Sequence, residues 1–301
     1  MPHSIRLHRG GAVLFRVRRF LVAALFLAAC RDSAEPPGPP LSVHAAASLA
    51  RPLRALADSF RAETGVPLQI EFGGSLELSR RTTDLGTPPD ILLLADDDVI
   101  ASLMPEHIDW YVRFATSRLV VAYGERSRGA DSITSENWWR VLSAPGVTIG
   151  RADSAVAPAG RHGVAVLRRA GVYYDQDDLT QRLLDRSGQR YVRPNATELA
   201  ALLEAGEVDY ILEYEAVARQ FGFPYVRLPA DLSPAVLYGV AVPAASPRHE
   251  AATQFVAFLL GGMGGDVLRA SSLDVLRVPV ALGRNIPPEI AALTRTVAGG
   301  R

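Results

Sequence analysis

The sequence predicts an α/β fold built as two lobes around a cleft. Three observations predict it. From Leu41 to Gly261, short apolar runs alternate with helical patterns in units of about 25–30 residues, the signature of strand–helix–strand construction with a mostly parallel sheet. One long apolar stretch, WYVRFATSRLVVAYG (Trp110–Gly124), interrupts the alternation and reads as one or two strands leaving a first α/β half for a second. The chain has 301 residues and is 48% hydrophobic, enough for a large core divided between two domains.

Residues 1–29 read as a signal peptide. Arg6, Arg9, Arg16, Arg18 and Arg19 form a basic segment ahead of the apolar run FLVAALFLAA (Phe20–Ala29), which is too short to span a bilayer comfortably. LAAC follows, and its Cys30 is the only cysteine, so neither a disulfide nor a cysteine metal cluster is available. LAAC resembles a bacterial lipobox, which implies lipidation of Cys30 and an anchor in the membrane outside the cytoplasm. RDSAEPPGPP completes a Pro-rich tether over residues 30–40.

The body opens with LSVHAA as a strand. Ser48 is expected to cap LARPLRALADSFRAETG, whose Leu49, Leu53, Leu56, Ala57 and Phe60 share one face and which Gly65 ends. VPLQIEF reads as the next strand, Ser75 as the cap of LELSRRTTDLG, PPDILLLAD as a buried strand and DDVIASLM as a short helix. After the long apolar stretch come helix SENWWRVLSAPG, strand VTIGR, helix RHGVAVLRRAG, and helices DQDDLTQRLLDRS and NATELAALLEAG with a capping residue each. Strand VDYILEY, helix EAVARQFG, strands YVRLP and AVLYGVAVP, and helix PRHEAATQFVAFLLGG finish the pattern, without an internal repeat. The architecture places lobe 1 in residues 41–122 plus 236–301 and lobe 2 in 123–235.

Formal net charge is zero, which gives no footprint for nucleic acid. All 32 basic residues are Arg, so no Schiff-base or P-loop lysine exists. No GxSxG, HExxH or CxxC motif occurs, and nothing calls for a cofactor. His44 beside Ser48 is compatible with an extracytoplasmic serine hydrolase, but a histidine in a strand is more often a core residue. The recurring feature is a strand end that runs into a helix start carrying small and hydroxyl residues: HAAAS at Ser48, FGGS at Ser75, APAG at Gly160. A helix N-terminus offers unpaired N–H groups and a partial positive charge. Small residues let an anion reach the backbone there. Each serine alone reads equally as a plain cap; three such starts from two lobes point to one shared anion.

The stretches HAAASLARPLRALADSF, FGGSLELSRRTTDLGTPPDILLLADDDVIASLMP, DWYVRFATSRLVVAYG, ENWWRVLSAPGVTIGRAD and ELAALLEAGEVDYILEYEAVARQFGFPYVRLP resemble, in order, the tungstate/molybdate-binding solute receptors of ABC importers. The resemblance implies a type II periplasmic-binding fold, each lobe a mixed sheet flanked by helices, with one oxyanion in the interlobe cleft. It implies delivery to a membrane permease and its ATPase by a monomer that is not an enzyme. It places Ser48 and Ser75 on the anion's oxygens and puts Glu213, before Tyr214, against the metal of the oxyanion; an Arg partner for Glu213 is the other option. The family's second carboxylate, an Asp before a Pro, falls at Ala157, ahead of Pro158. That departure argues for an anion that stays tetrahedral and for wider acceptance, sulfate-like solutes included. Asp153, Arg161 and His162 are the nearby groups that could substitute.

Overall fold

The computed structural model describes residues 1, 3, 39–84, 88–271 and 273–298. The signal peptide, Cys30 and nearly all of the tether lie outside the described residues. The elements described all belong to the unit Gly38–Arg301.

In chain order the first elements are β1 (Leu41–Ala46), α1 (Ala50–Thr64), β2 (Leu68–Gly73), α2 (Ser75–Asp84), β3 (Ile91–Ala95), α3 (Asp97–Ala101), β4 (Trp110–Ser117) and β5 (Leu119–Tyr123). Then come α4 (Trp138–Ser143), β6 (Ile149–Ala152), α5 (Pro158–Tyr173), α6 (Leu179–Arg186), β7 (Val192–Arg193), α7 (Ala196–Glu204), β8 (Tyr210–Tyr214), α8 (Glu215–Phe221) and β9 (Tyr225–Arg227). β10 (Val236–Ala241), α9 (His249–Leu260), α10 (Gly262–Arg269), β11 (Asp274–Gly283), α11 (Pro288–Leu293) and β12 (Arg295–Ala298) complete it.

These strands form two mixed sheets flanked by helices. The larger has the order β12-β11-β4-β10-β3-β1-β2 and the smaller β7-β6-β8-β5-β9. β1 runs parallel to β2 and β3, and β6 parallel to β7 and β8, as right-handed strand–helix units require. β4, β5 and β10 carry the chain between sheets and therefore arrive antiparallel, so the sheets are less parallel than the alternation alone suggests. β3 is buried at every residue, whereas edge strand β2 alternates, which is what a central and an outer position demand.

WYVRFATSRLVVAYG is two strands in different sheets. The chain changes sheet at Arg118, because β5 pairs with β8 and β9 of the smaller sheet. The crossing is tied down: Glu215 N–H donates to Arg118 C=O at 2.8 Å and Ala216 N–H to Ser117 Oγ at 3.2 Å. The return passes beside it, where the Ser233 hydroxyl donates to Leu119 C=O at 2.9 Å.

α1 buries Leu53, Leu56 and Phe60, and Phe60 meets Phe255 edge-on at 5.2 Å between centroids. Gly65 ends it at φ 74, in the left-handed region only glycine adopts freely. Asn195 caps α7 by accepting from Glu198 N–H. Two expectations fail locally. Ser48 is not a cap: it lies inside a 3-10 turn, Ala47–Leu49, whose backbone already starts the helix. Ser75 is the first residue of α2, not the residue before it. Ahead of α6, where a capping residue is expected but not singled out, Asp178 makes no side-chain cap bond and pairs with Arg182 at 3.5 Å. Helix α5 begins at Pro158, three residues before RHG, because proline at a first helical position gives up no hydrogen bond.

Candidate solute-binding site

The last residues of β1, β2, β3 and β8 (Ala46, Gly73, Ala95 and Tyr214) all border one cavity, at the carboxyl ends where open α/β sheets take ligands. Its volume is ≈ 20 Å³. That is room for a single small solute and not for a sugar- or peptide-sized one.

Four helix starts converge on it. Ala47 and Ser48 lead α1, Gly74 and Ser75 lead α2, Ala157–Ala159 lead α5, and Asn195–Ala196 lead α7. Residues at such positions have N–H groups with no acceptor inside the helix. Some are satisfied by other groups. Leu76 and Glu77 N–H donate to the Val156 carbonyl at 3.1 and 3.4 Å, Ala157 N–H to Asp153 C=O at 2.9 Å, and Gly160 N–H to Ala157 C=O at 3.1 Å. Ser75, Ala159 and Ala196 remain at the wall with first-turn amides. The combined macrodipoles make the cavity positive without a cation.

Both serine hydroxyls are held from behind. Ser75 Oγ accepts from Ala95 N–H at 3.0 Å, and Ser48 Oγ accepts from the Tyr238 hydroxyl at 3.3 Å. Each is therefore left with its own O–H to donate. Among the described residues neither serine hydrogen-bonds a histidine. His44 instead faces Glu71 at 3.6 Å, and burial pushes its pKa down.

Glu213 is the one carboxylate lining the cavity among the described residues, and no Arg lines it. The side chain is 1% exposed. Its Oε1 accepts from the Tyr214 amide at 2.8 Å, whereas Oε2 has no partner among the described residues. Burial pushes its pKa up to about 7, against the pull of the Tyr214 amide. Among the described residues Glu213 has no Arg partner, the alternative that the sequence left open. Tyr214 shares a hydrogen bond of 2.9 Å with His162 Nδ1, and burial drives its phenol pKa well above the ordinary value.

Of the six residues expected to bind, Ser48, Ser75, Ala157, Glu213 and Tyr214 meet at the cavity. Gly160 does not line it. A Cβ there would strike Ala152 C=O and the backbone of Asp153 and Ser154, so this glycine lets α5 press onto the preceding loop. The substitutes considered for a second carboxylate or a cation are engaged elsewhere. Asp153 Oδ1 accepts from Ala155 N–H at 2.8 Å, and Arg161 and His162 both reach Asp96. Sequence reasoning missed Asn195 and Ala196. The Asn-x-x-Glu spacing announces a helix start as clearly as the others, but it carries neither a glycine pair nor a hydroxyl.

Two mixed α/β sheets with a cavity between their carboxyl ends and several helix starts around it define a type II periplasmic-binding fold. The chain belongs to the bacterial extracellular solute-binding proteins, whose family model matches residues 41–271. It is thus a solute-binding protein and not an enzyme. The molybdate/tungstate-binding protein WtpA of Pyrococcus abyssi is 31% identical over 277 residues, covering 76% of this chain and 80% of that one. An uncharacterized solute-binding protein of Petrotoga mobilis is 32% identical over 276 residues, covering 81% and 86%. In structure the chain is similar to the Azotobacter vinelandii periplasmic molybdate-binding protein, with TM-score 0.66, 20% identity, and coverage of 79% of this chain and all of the other.

Proposed function

We propose that the protein is the lipid-anchored, extracytoplasmic receptor of an ABC importer, binding a tetrahedral oxyanion, tungstate or molybdate first, and handing it to the permease as a monomer. The observation that carries this reading is the cavity itself: room for one small solute, four helix starts around it, two hydroxyl donors and no basic side chain. The WtpA relatives support the choice of solute. The lobe of the larger sheet and the lobe of the smaller sheet close on the anion about the paired crossings at 117–119 and 228–235. Cys30 holds the body at the membrane by its lipid.

Within the cavity, Ser48, Ser75 and the amides of Ser75, Ala159 and Ala196 donate to the anion's oxygens. Glu213 faces it with Oε2. As an ionised carboxylate this oxygen repels a dianion unless it bonds the metal centre; as a carboxylic acid it donates. Ala157 supplies only a methyl group, so the second metal–carboxylate bond of the resembling family has no source, and the anion stays tetrahedral. A site that reads tetrahedral shape and charge also accepts a sulfate-like anion, the second reading that Ala157 favours.

Calorimetric titration of the purified chain with molybdate, tungstate, sulfate and phosphate tests this. The expected outcome is binding of molybdate and tungstate below millimolar concentration, with a matching rise in melting temperature, since any ligand specific to the native state stabilises it by mass action. No response to any of the four anions at millimolar concentration sinks the oxyanion reading.

A further inference from the structure

Asp96, the residue after β3, holds φ 132 and ψ 106. A side-chain-bearing residue persists there only where its surroundings over-determine it. Its N–H donates to Leu237 C=O at 3.1 Å, and its Oδ1 accepts from Asp98 N–H at 3.1 Å. This aims Oδ2 across the cleft at α5 of the other lobe, where Arg161 Nη2 lies 3.1 Å away and His162 Nε2 3.3 Å. The His162 ring then spans to the Tyr214 hydroxyl with its other nitrogen. Both ends of the chain touch the solute site. Ala95, next to Asp96, gives the amide that holds Ser75, and Tyr214 lines the cavity.

Asp96 is 5% exposed. Burial raises its pKa, but the His162 hydrogen bond and charge, the Asp98 amide and Arg161 outweigh it and hold the carboxyl below its ordinary value. Of the neighbouring acids, Asp97 is taken by Arg113 at 2.5 Å. On the far side of the contact lies a second cavity of ≈ 220 Å³, bordered by Asp96, His162, Arg169 and Ser233. Around this contact the lobes thus meet through charge beside open space.

We infer that Asp96, Arg161 and His162 form a latch across the cleft that holds the lobes shut on its own, with Tyr214 connecting it to the occupant of the cavity. The inference rests on the reading of the chain as a closing solute trap. The latch gives the solute-free protein a populated closed state and slows solute escape, so that its loss falls on dissociation rather than association.

Nitroxide labels at Ala62→Cys and Asp177→Cys, in a full-length Cys30→Ala background, report lobe separation by pulsed electron resonance; both positions are exposed, one on each lobe. Without solute, the parent is expected to show a short-distance population that Asp96→Asn abolishes. The Arg161→Gln/His162→Gln pair, which leaves the strained residue untouched, is expected to do the same, and adding Asp96→Asn to it to do no more. With molybdate as the probe, stopped-flow dissociation from Asp96→Asn should be faster by on the order of tenfold. A solute-free distribution unchanged by both sets of substitutions overturns the latch, as does a parent that shows only the long distance without solute. Failure of the oxyanion reading looks different: the solute-free populations shift with substitution, and molybdate moves nothing in the parent.

Discussion

The two walls of the cavity are made from the same element, a strand end entering a helix start, yet they present opposite chemistry. The wall from the larger sheet offers Ser48 and Ser75, hydroxyls that each accept one bond from behind and keep a proton to donate. The wall from the smaller sheet offers the bare residues Ala157 and Ala159, the capped start of α7, and Glu213 with a free oxygen. One wall keeps hydroxyl and amide protons to give. The other carries a group that changes from acceptor to donor with its proton. Under the proposed function the difference teaches that capture and discrimination are separable: any oxyanion would satisfy the first wall, and the second would decide what remains bound.

The largest effect is expected from the proton on Glu213. Its folded pKa is raised from 4.5 to about 7, so between these values the native state holds a proton that the unfolded chain has lost. Stability therefore falls as pH rises through that window, by up to about 3 kcal/mol, and is level above it. Glu213→Gln should flatten the profile, as measured by denaturant unfolding at a series of pH values. An unchanged slope would mean that this wall is not set by Glu213.

Next comes Gly74, where the walls touch. A Cβ here would overlap the Val156 carbonyl and approach Pro194 C=O at 3.1 Å, both on the opposite lobe. Gly74→Ala should hold the lobes apart and weaken molybdate binding by up to about 100-fold, the scale of a 1–3 kcal/mol overpacking. The melting temperature of the solute-free protein should hardly move. A loss of stability equal to the loss of affinity would place the glycine in the fold rather than in closure.

The serines can be separated in the same way. Ser75→Ala strips the buried Ala95 amide of its acceptor and should cost about 1–3 kcal/mol in thermal unfolding besides affinity. Ser48→Ala deprives only a hydroxyl, which can turn to another partner, and should cost less. If both cost the same, the two donors are supported equally and the geometry behind Ser75 is not special. Smallest is Asn195→Ala, which removes the cap of α7 and should lower stability by about 1 kcal/mol, read from the shift in denaturation midpoint.

Which wall was legible in the sequence follows from how local its signals are. α1 announced itself through Leu53, Leu56, Phe60 and Gly65, all within one helix, and the serines and glycines at the strand ends named the donor wall. Glu213 was reached through the resemblance. What hid was whatever depends on two lobes meeting. Gly74 and Val156 are 82 residues apart, and nothing near either predicts the other. The roles of Ser48 and Ser75 as caps were plausible locally and lost to partners on β10 and β3. Arg161 and His162 read as spare positive charge until Asp96 came across the cleft to take both.

A cavity that grips with dipoles and hydroxyls, and with no cation, leaves its guest's charge uncompensated. The full chain carries a formal net charge of zero and a sequence pI of ≈ 7.0. Without the five Arg of residues 1–29, read as a signal peptide, the remaining 27 Arg face 32 Asp and Glu, a formal charge of −5, and the proposed uptake of one doubly charged anion carries it to −7. Loaded and empty forms migrate differently in an electric field near neutral pH, and a partner at the membrane can tell them apart by potential before making any shape-specific contact.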